Sequence, residues 1–266
     1  MNSKKIKVFV ISIPSSSRNQ PLLEQLSKSS ALSIQIFPAV MYPRPDEIVY
    51  PNVIKQKILY NRELSKGEIG SAISHQHIQF QAYKTEGVCV ILEDDARISD
   101  ITKFEKLVTS FCESMGDKNA VLSLLPWVSS RKFFPNKGES TNLIRLVGKP
   151  PLCVGYVITA KAMEEISTSN HDFAYLPDWP PSSTSFYVTL GGVISHGDLN
   201  TFSYIDKTGR NKTSRILGLK KFSCYAYLKN RSQFESFSEY FLYSIWSSIT
   251  WRIDKLRVIL MSKSLK

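Results

Sequence analysis

Cysteine is scarce in this chain of 266 residues. The four present, Cys89, Cys112, Cys153 and Cys224, stand far apart and form no CxxC pair. Disulfide scaffolds are denser and zinc sites closer spaced, so both are excluded, and a reducing cytosolic compartment is expected. Histidine is equally rare, at 4 residues. The 12 glycines and 13 prolines follow no short period, which excludes collagen-like and low-complexity chains. Long apolar runs are missing as well. Val8–Ile13 is six residues long and ends at Pro14, too short for the core of a signal peptide. The uncharged stretch from Tyr240 to Trp251 covers 12 residues, short of the ~20 needed to span a bilayer. Aromatic and apolar material is plentiful: 14 Phe, 12 Tyr, 4 Trp and 42% hydrophobic residues exclude disorder. The chain is globular, with enough apolar surface for a sizeable core.

Acidic residues are few relative to basic ones, and the imbalance is local. Residues 201–266 hold 13 Lys/Arg and 4 Asp/Glu, or +9 of the total +11. The first 200 residues carry the remaining +2. A nucleic-acid enzyme spreads positive charge around its cleft, so nucleic acid is not the expected partner. A basic end beside aromatic residues fits an anionic membrane surface better.

Lys7–Ile13 reads as a buried strand, Arg18–Ser29 as a short helix and Leu32–Phe37 as a second strand, together a βαβ unit with a parallel pair. Residues 41–62, rich in Pro, Tyr and charge, read as a surface loop. Ser65-Lys-Gly-Glu68 is a capping-box pattern that opens a helix to about Lys84, with Ile69, Ile73 and Phe80 on one side. Gly87 ends it, and Val88–Leu92 is another buried strand. Phe104, Leu107, Val108, Phe111, Cys112 and Met115 recur at helical spacing. Strands are expected at 120–125, 143–147 and 152–159, a helix over 160–168, and mixed loop and strand from 170 to 205. This alternation predicts an α/β fold with a mostly parallel central sheet, and no linker divides it.

The sequence Leu92-Glu93-Asp94-Asp95-Ala96 follows a buried strand directly. In open α/β sheets the ligand crevice lies beyond the carboxyl ends of the strands. Were the extended conformation to continue, Glu93 and Asp95 would share one side and Asp94 the other. Two carboxylates on one side repel unless something positive sits between them. A hard divalent cation is one candidate, since such ions bridge carboxylates to substrate phosphates. The bland alternative is a solvated acidic turn that caps the helix near residue 101.

Six pieces in order carry a family resemblance. They are Val10-Ile-Ser-Ile13 with Arg18; Phe37-Pro-Ala-Val40; Leu64-Ser-Lys-Gly-Glu-Ile-Gly-Ser-Ala-Ile-Ser-His75; Ile91-Leu-Glu-Asp-Asp-Ala96; Gly155-Tyr-Val-Ile-Thr-Ala-Lys-Ala162; and Leu176-Pro-Asp178. Together the chain resembles glycosyltransferase family 25, the bacterial lipooligosaccharide (and related collagen) sugar transferases, over roughly residues 6–217. Pro38 departs from the pattern where an acidic residue is frequent, and Asn19 where a second basic residue is.

The resemblance implies a GT-A type fold over residues 1–217, a UDP-sugar donor with galactose as the sugar, inverting transfer to a lipid-linked or oligosaccharide acceptor, and Mn²⁺ or Mg²⁺. It implies Glu93 and Asp95 as metal ligands and catalytic residues, and a late residue, here His196, as third ligand. Ile13, Arg18, Val40, Ser74, His75 and Asp94 are implied at the nucleotide-sugar site. For His75 a satisfied structural histidine is the rival reading. His75 and His77 are two apart on a helix and share no face, so they are not a metal pair. Asp178 is the candidate base for the acceptor hydroxyl and Trp179 a stacking surface for a sugar; Asp178 reads equally as a turn former before Trp-Pro-Pro.

Residues 218–266 stand apart as a basic, aromatic helical extension. Phe237, Phe241, Ile245, Ile249, Ile253, Leu256 and Leu260 recur at three- and four-residue steps, followed by Lys and Arg. Such a helix either lies on an anionic inner-membrane surface or packs against the catalytic domain. Rival functions from other classes are a metal-dependent phosphotransferase or nuclease, and a non-catalytic basic binding module. A two-metal nuclease would want a second acidic cluster, which the sequence does not offer.

Overall fold

In the computed structural model, β1 (Ile6–Ser12) places Val8, Phe9, Val10 and Ile11 in the interior, and its two faces feed two different cores. Val8 and Val10 join Leu22, Leu26, Leu92, Phe104, Val108 and Phe111 on one side. Phe9 and Ile11 join Ile78, Ile91, Tyr156, Met163 and Ile166 on the other. A strand buried on both faces has no polar alternation, which explains the continuous apolar run. The structure describes residues 5–43, 51–60, 63–125, 132–134, 143–146, 154–173, 175–176, 184–189 and 192–197.

The chain continues through α1 (Gln20–Leu26) to β2 (Leu32–Pro38), parallel to β1 as the βαβ reading requires. A short helix, α2 (Val53–Tyr60), then stands where a surface loop was expected. Its start is marked by Asn52, whose side-chain oxygen accepts from the backbone N–H of Lys55 at 2.9 Å. Next come α3 (Lys66–Ala82) and β3 (Val88–Glu93). The capping box that opens α3 is present at both ends, with Ser65 N–H donating to Glu68 Oε2 at 2.8 Å and Glu68 N–H to Ser65 Oγ at 3.3 Å. The buried stripe of α3 runs through Ala72, His75, Gln79 and Ala82. Phe80, expected on the inner side, lies off that stripe and is 61% exposed.

After β3 come β4 (Ala96–Ile98), α4 (Ile101–Met115), β5 (Ala120–Ser123), β6 (Lys132–Phe134), β7 (Ile144–Leu146), β8 (Gly155–Thr159), α5 (Ala160–Ser169), β9 (Ser185–Val188) and β10 (Ile194–His196). Eight strands form one sheet in the order β2-β1-β3-β8-β5-β9-β7-β6. Only β8 and β7 run against the rest, so the sheet is mixed but mostly parallel in direction. Helices α1 and α4 cover one face, α3 and α5 the other. β4 and β10 make a separate antiparallel pair.

This topology positions a site. From β1 the chain crosses to β2 on one side, then returns to place β3 on the other. The crevice at such a reversal opens beyond the carboxyl ends of the strands.

Candidate active site

A cleft of roughly 260 Å³ lies at that reversal. The end of β1 contributes Ile11 and Ile13, the segment after β2 contributes Val40 and Tyr42, the first turns of α3 contribute Lys66, Ser71 and Ser74, and the end of β3 contributes Glu93, Asp94 and Asp95. Arg18, from the loop after β1, closes one side. Of the residues expected at the nucleotide-sugar site, Ile13, Arg18, Val40, Ser74 and Asp94 all line it.

The acidic triplet does not continue as a strand. Asp94 and Asp95 form a turn between β3 and β4, so all three carboxylates face the same cleft and the alternation expected of an extended chain does not hold. Nor does the triplet cap the following helix, a task taken by Asp100, whose side chain accepts from Thr102 and Lys103. The Arg18 guanidinium donates to Asp95 Oδ2 at 3.0 Å and stands 3.6 Å from Asp94 Oδ1. Arg97 fastens the turn from behind. Its guanidinium donates to the carbonyls of Ala96 at 2.8 Å, Asp94 at 3.3 Å and Arg18 at 3.5 Å. A reciprocal pair joins α1 to β4, with Gln25 Nε2 donating to the Ile98 carbonyl and Ile98 N–H to Gln25 Oε1, both at 2.9 Å.

Asp94 is nearly buried, and that burial pushes its carboxyl above the usual carboxylate range, with the Asp95 charge acting in the same direction. The Arg18 and Arg97 charges and a backbone hydrogen bond from Ile13 pull the other way without overcoming it. Among the described residues, Oδ2 of Asp94 and Oδ1 of Asp95 are buried without a hydrogen-bond partner. Two orphaned carboxylate oxygens beside Glu93 are chemically suited to a hard cation. No group of three His, Cys, Asp or Glu side chains among the described residues is gathered for a metal. The donor set therefore suits an ion held through one or two carboxylates and completed by a substrate's phosphates.

His196 is brought beside the acidic turn by backbone pairing but does not line the cleft. In the β4–β10 ladder it stands opposite Ala96, and the next residue, Gly197, donates its N–H to the Asp95 carbonyl at 2.6 Å. A side chain at 197 would put its Cβ 2.9 Å from that same oxygen, so glycine permits the approach. His75 does not line the cleft. It is 2% exposed and lies behind Glu93, with Nε2 3.6 Å from Glu93 Oε1. Ser71 Oγ donates to the same oxygen at 3.4 Å. Ser74 ties α3 to the cleft wall, accepting from Val40 N–H and donating to the Gly70 carbonyl, both at 2.8 Å.

Several of these residues are invisible to motif reading. Arg97, Gln79 and Gln25 lie outside the motif pieces, and Tyr156 lies within one that assigns it no role. Lys66 and Ser71 sat inside the motif that closes at His75 and could have been found from their helical position facing the strand ends. Asp178, Trp179 and residues 198–266, with the basic extension, lie outside the described residues. Neither described cysteine is a nucleophile: burial pushes the thiol of Cys89 up strongly and that of Cys112 up to about 11. Among the described residues no helix is long and apolar enough to cross a membrane.

No curated protein matches the chain. Among solved structures it is similar to a mannose-1-phosphate geranyltransferase from Thermus thermophilus, at 10% identity and a TM-score of 0.37, over 72% of this chain and 75% of that one. Residues 5–178 match the model of glycosyltransferase family 25 (LPS biosynthesis protein). That span contains β1, the capped helix α3, the acidic turn and the cleft they enclose, and the chain belongs to glycosyltransferase family 25.

Proposed function

We propose that the cleft binds a UDP-sugar, with galactose as the sugar, and that the protein transfers the sugar with inversion to a lipooligosaccharide or related surface-glycan acceptor. The observation that carries this reading is the meeting of Glu93, Asp94 and Asp95 with Arg18 at the rim of one cleft at the strand reversal. Glycosyl transfer from a nucleotide sugar releases a diphosphate, whose growing negative charge must be met by preorganised positive charge. Glu93 and Asp95 would hold Mn²⁺ or Mg²⁺, which supplies Lewis-acid stabilisation of that leaving group. Arg18 adds a fixed positive charge on the same side, and the cleft wall formed by Ile13, Val40 and Tyr42 offers the apolar and aromatic surface a base and ribose require.

Asp178 takes the acceptor hydroxyl proton in this scheme, and Trp179 stacks on the acceptor sugar. The GT-A type arrangement is proposed on the same ground, supported by the β2-β1-β3 order and the site beyond it. The basic segment 218–266 would bring the enzyme to a lipid-linked acceptor at the inner membrane face. Thermal shift tests the donor reading. UDP with Mn²⁺ raises the melting temperature more than UDP alone, and an oligonucleotide leaves it unchanged. Stabilisation by the oligonucleotide but not by UDP would reject it.

A further inference from the structure

Beneath the cleft, a chain of polar side chains crosses an otherwise apolar core. Gln79 Nε2 donates to the Tyr156 hydroxyl at 3.0 Å, and that hydroxyl lies 2.8 Å from His75 Nδ1. The other imidazole nitrogen, Nε2, faces Glu93 Oε1 at 3.6 Å. His75 and Gln79 are one helical turn apart on α3 and so share a face, while Tyr156 stands on β8 among Phe9, Ile78, Ile91 and Ile158. Tyr156 and His75 are 1% and 2% exposed, and their rings stack at 5.6 Å with planes 18° apart. Burying three polar groups in an apolar layer is costly unless they find partners, and the Gln79–Tyr156–His75 contacts supply them at the Nδ1 end.

Donor and acceptor counting gives the chain a direction. Gln79 donates an amide N–H to the Tyr156 oxygen, which leaves the Tyr156 proton available to His75 Nδ1. Nδ1 is then an acceptor, and the imidazole carries its proton on Nε2, the nitrogen that faces Glu93. A carboxylate can only accept, so its approach to Nε2 at 3.6 Å, longer than a hydrogen bond, favours that same tautomer.

We propose that Gln79, Tyr156 and His75 are positioning residues, which lock the Nε2–H tautomer of His75 and through it the orientation of the Glu93 carboxylate toward the cleft. This rests on the reading of Glu93 as a cation ligand, and outer partners of such ligands affect ion affinity by roughly 10- to 100-fold.

The test separates the two ideas. Nitrogen-15 NMR of the metal-free full-length protein, with His75 assigned from a His75→Gln variant, reports the tautomer. Carbon-13 NMR, with Glu93 assigned from Glu93→Gln, reports the carboxylate. The wild type shows Nε2–H at His75, and Tyr156→Phe both erases that preference and moves the Glu93 carboxyl resonance. Gln79→Met, which keeps the shape but lacks the donor, does the same more mildly and serves if Tyr156→Phe fails to fold. An Nδ1–H tautomer in the wild type, or a Glu93 resonance unmoved in both variants, overturns the inference. Calorimetry with MnCl₂ and UDP then shows affinity at least 10-fold weaker in Tyr156→Phe, and unchanged affinity also counts against positioning. A wild type that binds neither Mn²⁺ nor UDP rejects the donor reading instead, while the NMR result still decides the inference.

Discussion

Arg18 and Asp95 are 77 residues apart in sequence and meet at 3.0 Å through the guanidinium and Oδ2. Both side chains remain about a quarter exposed, so the pair contributes on the order of 0.2–1 kcal/mol to stability. Its weight is in the site. It sets a positive charge against the acidic turn, leaving Asp95 Oδ1 without a partner among the described residues.

Asp95→Asn keeps the size of the side chain and removes the charge. Transfer should fall at least ~100-fold, in line with ~2.7 kcal/mol for a lost electrostatic contact in the transition state, while the circular dichroism spectrum and melting curve stay near wild type. Unchanged turnover in saturating Mn²⁺ would remove Asp95 from the site.

Asp94 makes a signed prediction about pH. Its folded pKa is raised, chiefly by burial, so the folded chain holds this proton more tightly than the unfolded one. The group's contribution is therefore favourable below its unfolded value and is lost as pH rises through the folded value. Asp94→Asn should melt above wild type at neutral pH, and the gap should close as pH falls toward the ordinary carboxylate range. A variant that melts lower than wild type by the same margin at every pH contradicts this.

Gly70→Ala tests the seam between α3 and the cleft wall. A methyl at position 70 would overlap the Val40 carbonyl oxygen. Because that neighbour is backbone, the expected loss is about 1–3 kcal/mol, or ~2–4 °C of melting temperature per kcal/mol for a chain of this size. Differential scanning calorimetry reads it directly, and donor affinity should weaken with it because Val40 lines the cleft.

Asp178→Asn should abolish transfer and leave UDP and metal affinity close to wild type, since a base acts on the chemical step and not on donor binding. Isothermal titration of the variant with UDP and Mn²⁺ checks this, and lost donor binding would move Asp178 out of the acceptor side.

What could be read from the sequence was local. The run at Val8–Ile11, the capping box at Ser65 and Glu68, and the carboxylates after a buried strand each follow from neighbours within a few residues, and each stands in the structure. The failures have physical causes. Helix α2 escaped because its start rests on one Asn after a proline within a charged, Pro-rich stretch. Phe80 was misjudged because the buried stripe of α3 is centred on residues 75 and 79. The turn at Asp94–Asp95 is held by Arg97 and by pairing with β10, and neither is visible from the triplet itself. Tyr156 looked like one more residue of a buried strand, since nothing nearby shows that His75 and Gln79 reach it.

The β4–β10 pairing also sets an order of assembly. His196 faces Ala96 from a hundred residues later, and Gly197 holds the Asp95 carbonyl. During synthesis the parallel core of β1, β2 and β3 has all its strands once residue 93 has emerged, but the acidic turn gains its pairing with β10 only after the chain has grown past 197. Contacts of such long separation form late, after the loops they close have been ordered. A nascent or truncated chain ending before Ile194 would hold the acidic turn through Arg97 and Arg18 alone, so its last fastening comes from a strand beyond the family-matched residues.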